Sequence, residues 1–153
     1  MTSETRSPSQ LLIVCFIFSL LLSGCVTSQQ KFQDKMKAQG INPLASPEIR
    51  KLFSDATMFS SSGMGEYRGY YTKDGKIEVE DWWIRAESID RGKWEASEDG
   101  LLCQYFGVWT EEERCYSVYP GKTEEEFTLV QMSGPFSEYV PDGILPSRIT
   151  RGR

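Results

Sequence analysis

Acidic side chains are the most numerous groups in this sequence that could act directly on a substrate. They cluster at Glu78, Glu80 and Asp81 and in two glutamate runs, residues 111–113 and 124–126. Two carboxylates at a set separation are enough to hydrolyse a glycoside, so a carboxylate-based hydrolase is one hypothesis. The chain contains no histidine, which removes the usual general base at neutral pH and the commonest metal ligand.

The same carboxylates also fit structural roles. Both glutamate runs follow a threonine, Thr110 and Thr123, with a glutamate three residues on, which is the capping-box pattern. Glu78 and Glu80 alternate with apolar residues, so we expect them to face solvent from one side of a strand. The sequence has no Asp-x-Asp-x-Asp-Gly loop for calcium. We therefore predict a non-enzymatic protein without metal or cofactor, and keep the hydrolase as the third hypothesis.

Two of the four cysteines, Cys103 and Cys115, fall on the two arms of one predicted hairpin. If they lie opposite each other, Phe106 faces Glu112 and residues 107–111 form the loop. Directly opposed residues of antiparallel strands have Cα atoms about 4.5–5.5 Å apart, within the range of a disulfide. A redox-active pair is the alternative, but such pairs usually have Cys-x-x-Cys spacing. We predict a structural disulfide.

The N-terminus has the pattern of an export signal. Residues 11–22 are a run of twelve residues, all apolar except Ser19. As a helix this run would rise about 18 Å, well short of the roughly 30 Å hydrocarbon core of a bilayer. A short apolar run followed by small residues is typical of a signal peptide.

The end of this run, Leu22-Ser23-Gly24-Cys25, resembles the lipobox of bacterial lipoproteins. The resemblance implies cleavage before Cys25 and a palmitate-type lipid anchor on that cysteine, which holds the protein to a membrane of the cell envelope. Val26, in place of aspartate, resembles the pattern of lipoproteins sent to the outer membrane, facing the periplasm. The alternative is an ordinary secretory signal with an incidental cysteine.

Composition divides the chain into four segments. We predict a signal peptide at 1–24, the lipidated cysteine and a flexible tether at 25–45, a small β domain at 46–132, and an extended C-terminal tail at 133–153. Fully extended, the tether would reach about 65–70 Å. We expect the arginines of the tail to fray into solvent, with contact to anionic lipid head groups as the alternative.

The folded domain is predicted to be mainly β. Ser46-Pro47-Glu48 is typical of a helix start, and one short helix follows it. About six short strands come next, with Asp74-Gly75 and Asp99-Gly100 as hairpin turns and residues 60–65 as a loop. This pattern predicts an antiparallel meander that closes into a small barrel or a strongly curved sheet.

Aromatic residues supply the candidate ligand contacts. Trp82 and Trp83 are adjacent, so in a strand they face opposite sides and cannot both lie in one core. A ligand carrier would use some of Trp82, Trp83, Trp94 and Tyr105 to line its cavity. The alternative is that these aromatic side chains simply fill the core of a small barrel.

Three stretches resemble families of exported or ligand-binding proteins. Gly92-Lys93-Trp94 is similar to the Gly-x-Trp signature of lipocalins, although two predicted strands precede it here. The stretch from Ser62 to Tyr67 is similar to the Ser-Gly-x-x-Tyr loop of membrane-bound lysozyme inhibitors, with one extra residue. That resemblance implies contact between Ser62 or Tyr67 and a protein target.

The third resemblance covers most of the predicted β domain. Short exported bacterial domains of unknown function combine a tyrosine-rich strand, two Asp-Gly turns, a Gly-x-Trp and a later pair of cysteines. The matching residues here are Tyr70-Tyr71, Asp74-Gly75, Gly92-Lys93-Trp94, Asp99-Gly100, Leu102-Cys103 and Cys115-Tyr116-Ser117-Val118. This resemblance implies export and fold but supplies no catalytic residues.

The net charge of −5 provides no basic field, so a nucleic-acid partner is not expected. The sequence therefore favours an envelope lipoprotein that acts as a binding module for a small apolar ligand or an envelope protein. A protein-type inhibitor is the alternative.

Overall fold

The computed structural model describes residues 27–62, 65–83, 86–106, 113–134 and 142–153, without the side chains of residues 62, 65, 81–83 and 86–88. These residues form a closed antiparallel barrel preceded by two helices. The helices are α1 (Ser28–Ala38) and α2 (Ser46–Phe53), and the strands are β1 (Ala56–Ser62), β2 (Gly65–Tyr71), β3 (Lys76–Trp83), β4 (Ala86–Ala96), β5 (Leu102–Phe106), β6 (Glu113–Pro120), β7 (Glu126–Ser133) and β8 (Ile144–Arg151).

The strands form an up-and-down meander. Each strand pairs with the next along the chain, and β8 pairs with β1 to close the barrel. The prediction of a mainly β, antiparallel barrel with a short helix and a disulfide is confirmed. Both Asp-Gly turns are present, with Gly75 at φ +82° and Gly100 at φ +76°, a region in which glycine is strongly favoured.

Gly92 allows β4 to serve two neighbours. The first part of β4 pairs with β3 up to Lys93, and β4 pairs with β5 from Gly92 onwards. A Cβ atom at Gly92 would lie 1.9 Å from the backbone oxygen of Tyr105. Glycine in a strand often marks such a close backbone approach, so the Gly-x-Trp motif has a structural reason here.

Helix α2 covers one end of the barrel. Its buried side chains, Ile49 and Phe53, are fully inaccessible to solvent and point into the barrel core. The Glu48 carboxylate accepts a hydrogen bond from the Ala45 N–H at 2.8 Å and satisfies one end of the helix. We call the end that α2 covers the capped end. The distal end is the opposite one, where Ser62, Trp83 and Phe106 end their strands.

The capped half of the interior is a filled apolar core. The ring of Phe53 lies 4.9 Å from that of Tyr71 and 5.3 Å from that of Phe127, centroid to centroid. The other core side chains here include Ala56, Met58, Ile77, Val79, Trp94, Ala96, Leu102, Val118, Leu129 and Ile149. Inward-facing side chains fill an eight-stranded barrel of this kind, so this half leaves no lumen.

The C-terminal segment differs from the sequence prediction of an extended tail at 133–153. Residues Ile144–Arg151 form strand β8, which hydrogen-bonds to both β7 and β1. Its proline, Pro146, lies just beyond Ser147, where pairing with β1 stops, so the missing N–H breaks no ladder bond there. The β domain therefore extends well past residue 132.

Two further segments differ from their predictions. Residues 60–62, assigned to a loop because of their serines, lie in β1, where all three pair with β2 and Ser60 also pairs with β8. Part of the predicted flexible tether forms helix α1, and Phe32 of this helix packs edge-on against Tyr119 at 5.4 Å. Tertiary contacts override weak local propensity in both cases.

Candidate functional site

The distal half of the barrel interior is lined by polar side chains. Strand alternation points these residues inward, on the same face as the apolar core of the capped half. The inward polar residues are Ser60, Tyr67, Asp90, Gln104, Arg114, Tyr116, Gln131 and Ser147. Ser60, Asp90, Gln104, Gln131 and Ser147 are all buried, and Asp90 is only 1% exposed. The buried Phe106 and the partly buried Leu145 add apolar surface to this half, so the interior becomes mixed in polarity toward the distal end.

Hydrogen bonds order the boundary between the two halves. The Gln104 side-chain amide donates to the Tyr71 hydroxyl, and the hydroxyls of Ser60 and Ser147 share a hydrogen bond. Burial raises the pKa of Tyr71 well above its usual value, and the neighbouring Tyr67 adds to the increase. Tyr71 is therefore a neutral phenol at neutral pH.

Arg114 is the inward-facing cation of the described interior. It lies on β6 directly opposite Gln104 of β5, next to the disulfide pair that points outward. Its guanidinium interacts with the hydroxyl of Tyr116. Burial raises the pKa of Tyr116, and the positive charge of Arg114 partly opposes this increase.

The Arg114 Nε atom is buried without a hydrogen-bond partner. Ion pairs among the described residues include Arg68 with Glu80 and Arg91 with Glu78 on the outer wall, and Lys76 with Asp74 at a hairpin turn. A buried guanidinium N–H without an acceptor is costly, because desolvation of a charged donor is then uncompensated. Arg114 therefore offers a donor to whatever enters the distal half.

Another concave feature is lined both by outward-facing residues and by Ser60, Tyr67 and Ser147 of the interior. A groove of about 720 Å³ crosses strands β7, β8, β1 and β2. Phe59 lies in this groove between two guanidinium groups, with Arg148 at 4.6 Å and Arg68 at 5.8 Å from the ring centroid. These cations are already engaged by the aromatic face, and Arg68 also by Glu80 at 3.3 Å.

The predicted aromatic contacts do not form one site. Trp94 is a core residue, and its indole Nε1 donates to the Thr72 carbonyl oxygen at 2.9 Å. Tyr105 lies on the outer wall and is 43% exposed, so Trp94 and Tyr105 cannot line the same cavity. Trp82 and Trp83 are the last residues of β3, at the distal end, and their side chains lie outside the described set.

The stretch from Ser62 to Tyr67, predicted to be a loop that contacts a protein target, also differs from its prediction. Tyr67 lies within β2 and packs against the core, and its hydroxyl is buried. It therefore does not project from a surface loop. Ser62 ends β1, and its side chain lies outside the described set.

The disulfide prediction is confirmed. Cys103 and Cys115 are bonded and lie directly opposite each other, with their Cα atoms 4.1 Å apart. The predicted pairing of Phe106 with Glu112 falls outside the described residues. Glu113 lies close enough to both sulfur atoms to suggest a metal site, but the sulfurs are bonded to each other and are not thiolate ligands.

The candidate carboxylates do not converge on a cleft. Glu78 binds the guanidinium groups of Arg91 and Arg153 on the outer wall, and Glu80 binds Arg68. Residues 124–126 are exposed at the turn between β6 and β7. The expectation that Glu78 and Glu80 serve the solvent-facing wall agrees with these contacts. Of the run at 111–113, Glu113 begins β6 and the rest lies outside the described residues.

Sequence reasoning missed Arg114 and Gln104, although a signal for both was present. The register that brings Cys103 opposite Cys115 also brings Gln104 opposite Arg114, one residue along each strand. Because neighbouring side chains alternate between faces, an outward disulfide requires this polar pair to face inward.

Comparison of the chain with protein-family models and with curated proteins finds no match. Within the described residues, no helix is both long enough and apolar enough to cross a bilayer.

Proposed function

We propose that this chain is an envelope lipoprotein, anchored through Cys25, whose barrel binds a small organic anion in its distal half. The observation that carries the proposal is the buried Nε of Arg114, which faces the barrel interior without an acceptor. The proposal narrows the small apolar ligand expected from the sequence to one with an anionic group. Outer-membrane location, with the barrel in the periplasm, follows from the lipobox resemblance and belongs to the same proposal.

Arg114 is suited to an anion because of its neighbours. A guanidinium presents donors in a planar fork that matches a carboxylate or phosphate group. Gln104 and Tyr116 lie beside it and can donate further hydrogen bonds to the same group. An acid entering the distal half would thus satisfy the buried donor and offset its desolvation.

The filled capped half limits the size of the ligand. Leu102 and Val118 are fully buried beneath the polar layer, and α2 seals the barrel behind them. An eight-stranded barrel is just wide enough to hold side chains or one small ligand. We therefore expect a ligand of a few carbon atoms or a short chain that extends toward the distal end.

Binding without catalysis is the simpler assignment for this site. The chain has no histidine, and Glu78 and Glu80 are held in ion pairs on the outer wall. Among the inward side chains that the structure describes, Asp90 is the carboxylate, and its Oδ1 accepts a hydrogen bond from the Arg91 N–H at 2.6 Å. A carboxylate-based glycosidase would need a second carboxylate at a set separation from it.

Calorimetric titration with sodium octanoate and with inorganic phosphate tests the proposal. We expect octanoate, phosphate or both to bind the wild-type protein. The Arg114→Gln variant should bind about ten- to 100-fold more weakly, because a charge-assisted hydrogen bond contributes about 1.5–3 kcal/mol. Arg114→Lys should lie between the two, since it keeps the charge and loses the fork.

Arg91→Gln is the matched control, because Arg91 is an exposed arginine paired with Glu78 on the outer wall. It should bind like wild type. Circular dichroism of each variant separates loss of binding from loss of fold. Equal affinity in wild type and Arg114→Gln, or no binding of either probe, would refute the proposed site.

The protein-inhibitor alternative receives less support from the geometry. It needs Tyr67 on an accessible loop, whereas the Tyr67 hydroxyl is buried within the barrel. Slowing of a c-type lysozyme by the purified protein would restore that alternative.

A further inference from the structure

We infer that helix α1 holds the distal end of the barrel toward the lipid surface. This inference rests on the proposed lipid anchor at Cys25. It also uses an independent observation, the position of α1 on the outer wall of the barrel.

Contacts along one side of α1 fix that position. The Gln29 side-chain amide donates to the Gln131 carbonyl oxygen at 2.7 Å, and Gln33 contacts the Met132 sulfur at 3.3 Å. Phe32 packs between them against Tyr119, with ring centroids 5.4 Å apart. Residues spaced by three and four along a helix share one face, so this stripe docks α1 onto β6 and β7.

The direction of α1 is set by its two ends. At its start, the Ser28 hydroxyl lies 3.4 Å from the Asp142 carboxylate, just before β8 begins at the distal end. Beyond its end, the Leu44 N–H donates to the Val118 carbonyl oxygen at 2.8 Å, near the capped end. The helix therefore starts at the distal end and the chain continues toward the capped end, in the same direction as β8 and opposite to β7.

The chain before α1 leaves little slack. Thr27 caps the helix, with its hydroxyl accepting from the Gln30 N–H at 3.2 Å. Cys25 is two residues earlier, a reach of about 7 Å even when fully extended. A lipid on Cys25 therefore places the membrane surface close to the distal end. A flexible tether over residues 25–45 would instead have allowed the barrel any orientation.

The same geometry keeps the capped end away from the membrane. A strand of eight residues rises about 26 Å, or about 20 Å along the axis of a tilted barrel. Glu66, Glu113 and Asp142 lie exposed near the distal end. These carboxylates would repel an anionic lipid surface and oppose close contact, so we expect the anchor to hold the distal end near the membrane with a water layer between them.

Paramagnetic broadening of amide NMR signals tests this orientation. The full lipidated chain is placed in phosphatidylglycerol-containing nanodiscs with a spin label on lipid head groups. We expect strong broadening at Ser60, Ser61 and Ser133, near the distal end. Signals of the Asp74-Gly75 and Asp99-Gly100 turns, at the capped end, should persist.

Two variants sharpen the test. Phe32→Ala should loosen α1 and make the broadening uniform over the barrel. Gln30→Ala should change nothing, because Gln30 contacts only Asp34 of the same helix and the Thr27 cap. Uniform or capped-end broadening in the wild-type protein would overturn the inferred orientation.

A separate measurement tests whether Cys25 carries the proposed lipid. A full chain that mass spectrometry finds without a lipid on Cys25 refutes the proposed anchor and the orientation with it. A lipidated chain with uniform broadening refutes the orientation alone, and octanoate titration reports on the ligand site in either case.

Discussion

Truncation of Phe53 to alanine measures how far α2 belongs to the barrel core. Phe53 is fully buried, and its ring contacts those of Tyr71, Trp94 and Phe127 at 4.9, 6.3 and 5.3 Å. Removal of a buried phenylalanine side chain costs about 3–5 kcal/mol. Three aromatic neighbours place Phe53 near the upper end of that range, since each such pair adds about 0.5–1.5 kcal/mol.

The expected loss is a large part of the stability of a domain of this size, which is about 5–15 kcal/mol. Guanidinium unfolding followed by tryptophan fluorescence should give the change in free energy of unfolding. Thermal unfolding should show a fall in Tm of roughly 15 °C. Lys51→Ala is the control, because Lys51 is exposed on the same helix and such changes cost within about 0.5 kcal/mol. A loss below about 1 kcal/mol for Phe53→Ala would mean that α2 does not seal the barrel.

Three further predictions concern the rest of the fold. Replacement of both Cys103 and Cys115 by alanine should lower the free energy of unfolding by about 3 kcal/mol, measured in guanidinium, and an unchanged midpoint would contradict a structural role. Burial raises the pKa of Tyr71 and Tyr116 above the ordinary 10.0, so the unfolded chain loses these protons first. The unfolding free energy should therefore fall as pH rises above 10, and a flat alkaline profile would refute buried, protonated phenols. Gly92→Ala should cost about 1–3 kcal/mol or prevent folding, because its Cβ would overlap the Tyr105 carbonyl, and a wild-type melting curve would contradict the close approach.

The sequence carried enough local information to predict the central strands. Asp-Gly pairs specify tight turns because glycine accepts positive φ, and both predicted turns are present at Gly75 and Gly100. The disulfide register followed from geometry, because only directly opposed cysteines in this hairpin come close enough to bond. Alternation in β3 likewise separated Ile77 and Val79 of the core from the glutamates of the outer wall.

The first and last strands, β1 and β8, were harder to predict because the contacts that stabilise them are not local in sequence. β1 contains three consecutive serines, and β8 contains Pro146, both unfavourable for strands by propensity. β1 and β8 pair with each other from opposite ends of the chain, from Ala56 with Arg151 to Ser60 with Ser147. Such long-range pairing leaves no signal in a short window of sequence.

The candidate site was missed for a related reason. Tryptophans suggested a ligand cavity, yet Trp94 serves the core and Tyr105 the outer wall. Arg114 resembles any charged strand residue until the outward direction of Cys115 is known. Its importance depends on burial of Nε, which only the closed barrel creates.

Native mass spectrometry of the full chain, purified from the cells that produce it, tests the central claim most directly. We expect the wild-type protein to retain a small acidic molecule, identified after its release by denaturation. Arg114→Gln should lose this molecule, and Arg91→Gln should keep it. A wild-type protein that carries no small molecule, or one that Arg114→Gln retains equally, would contradict an anion site inside the barrel.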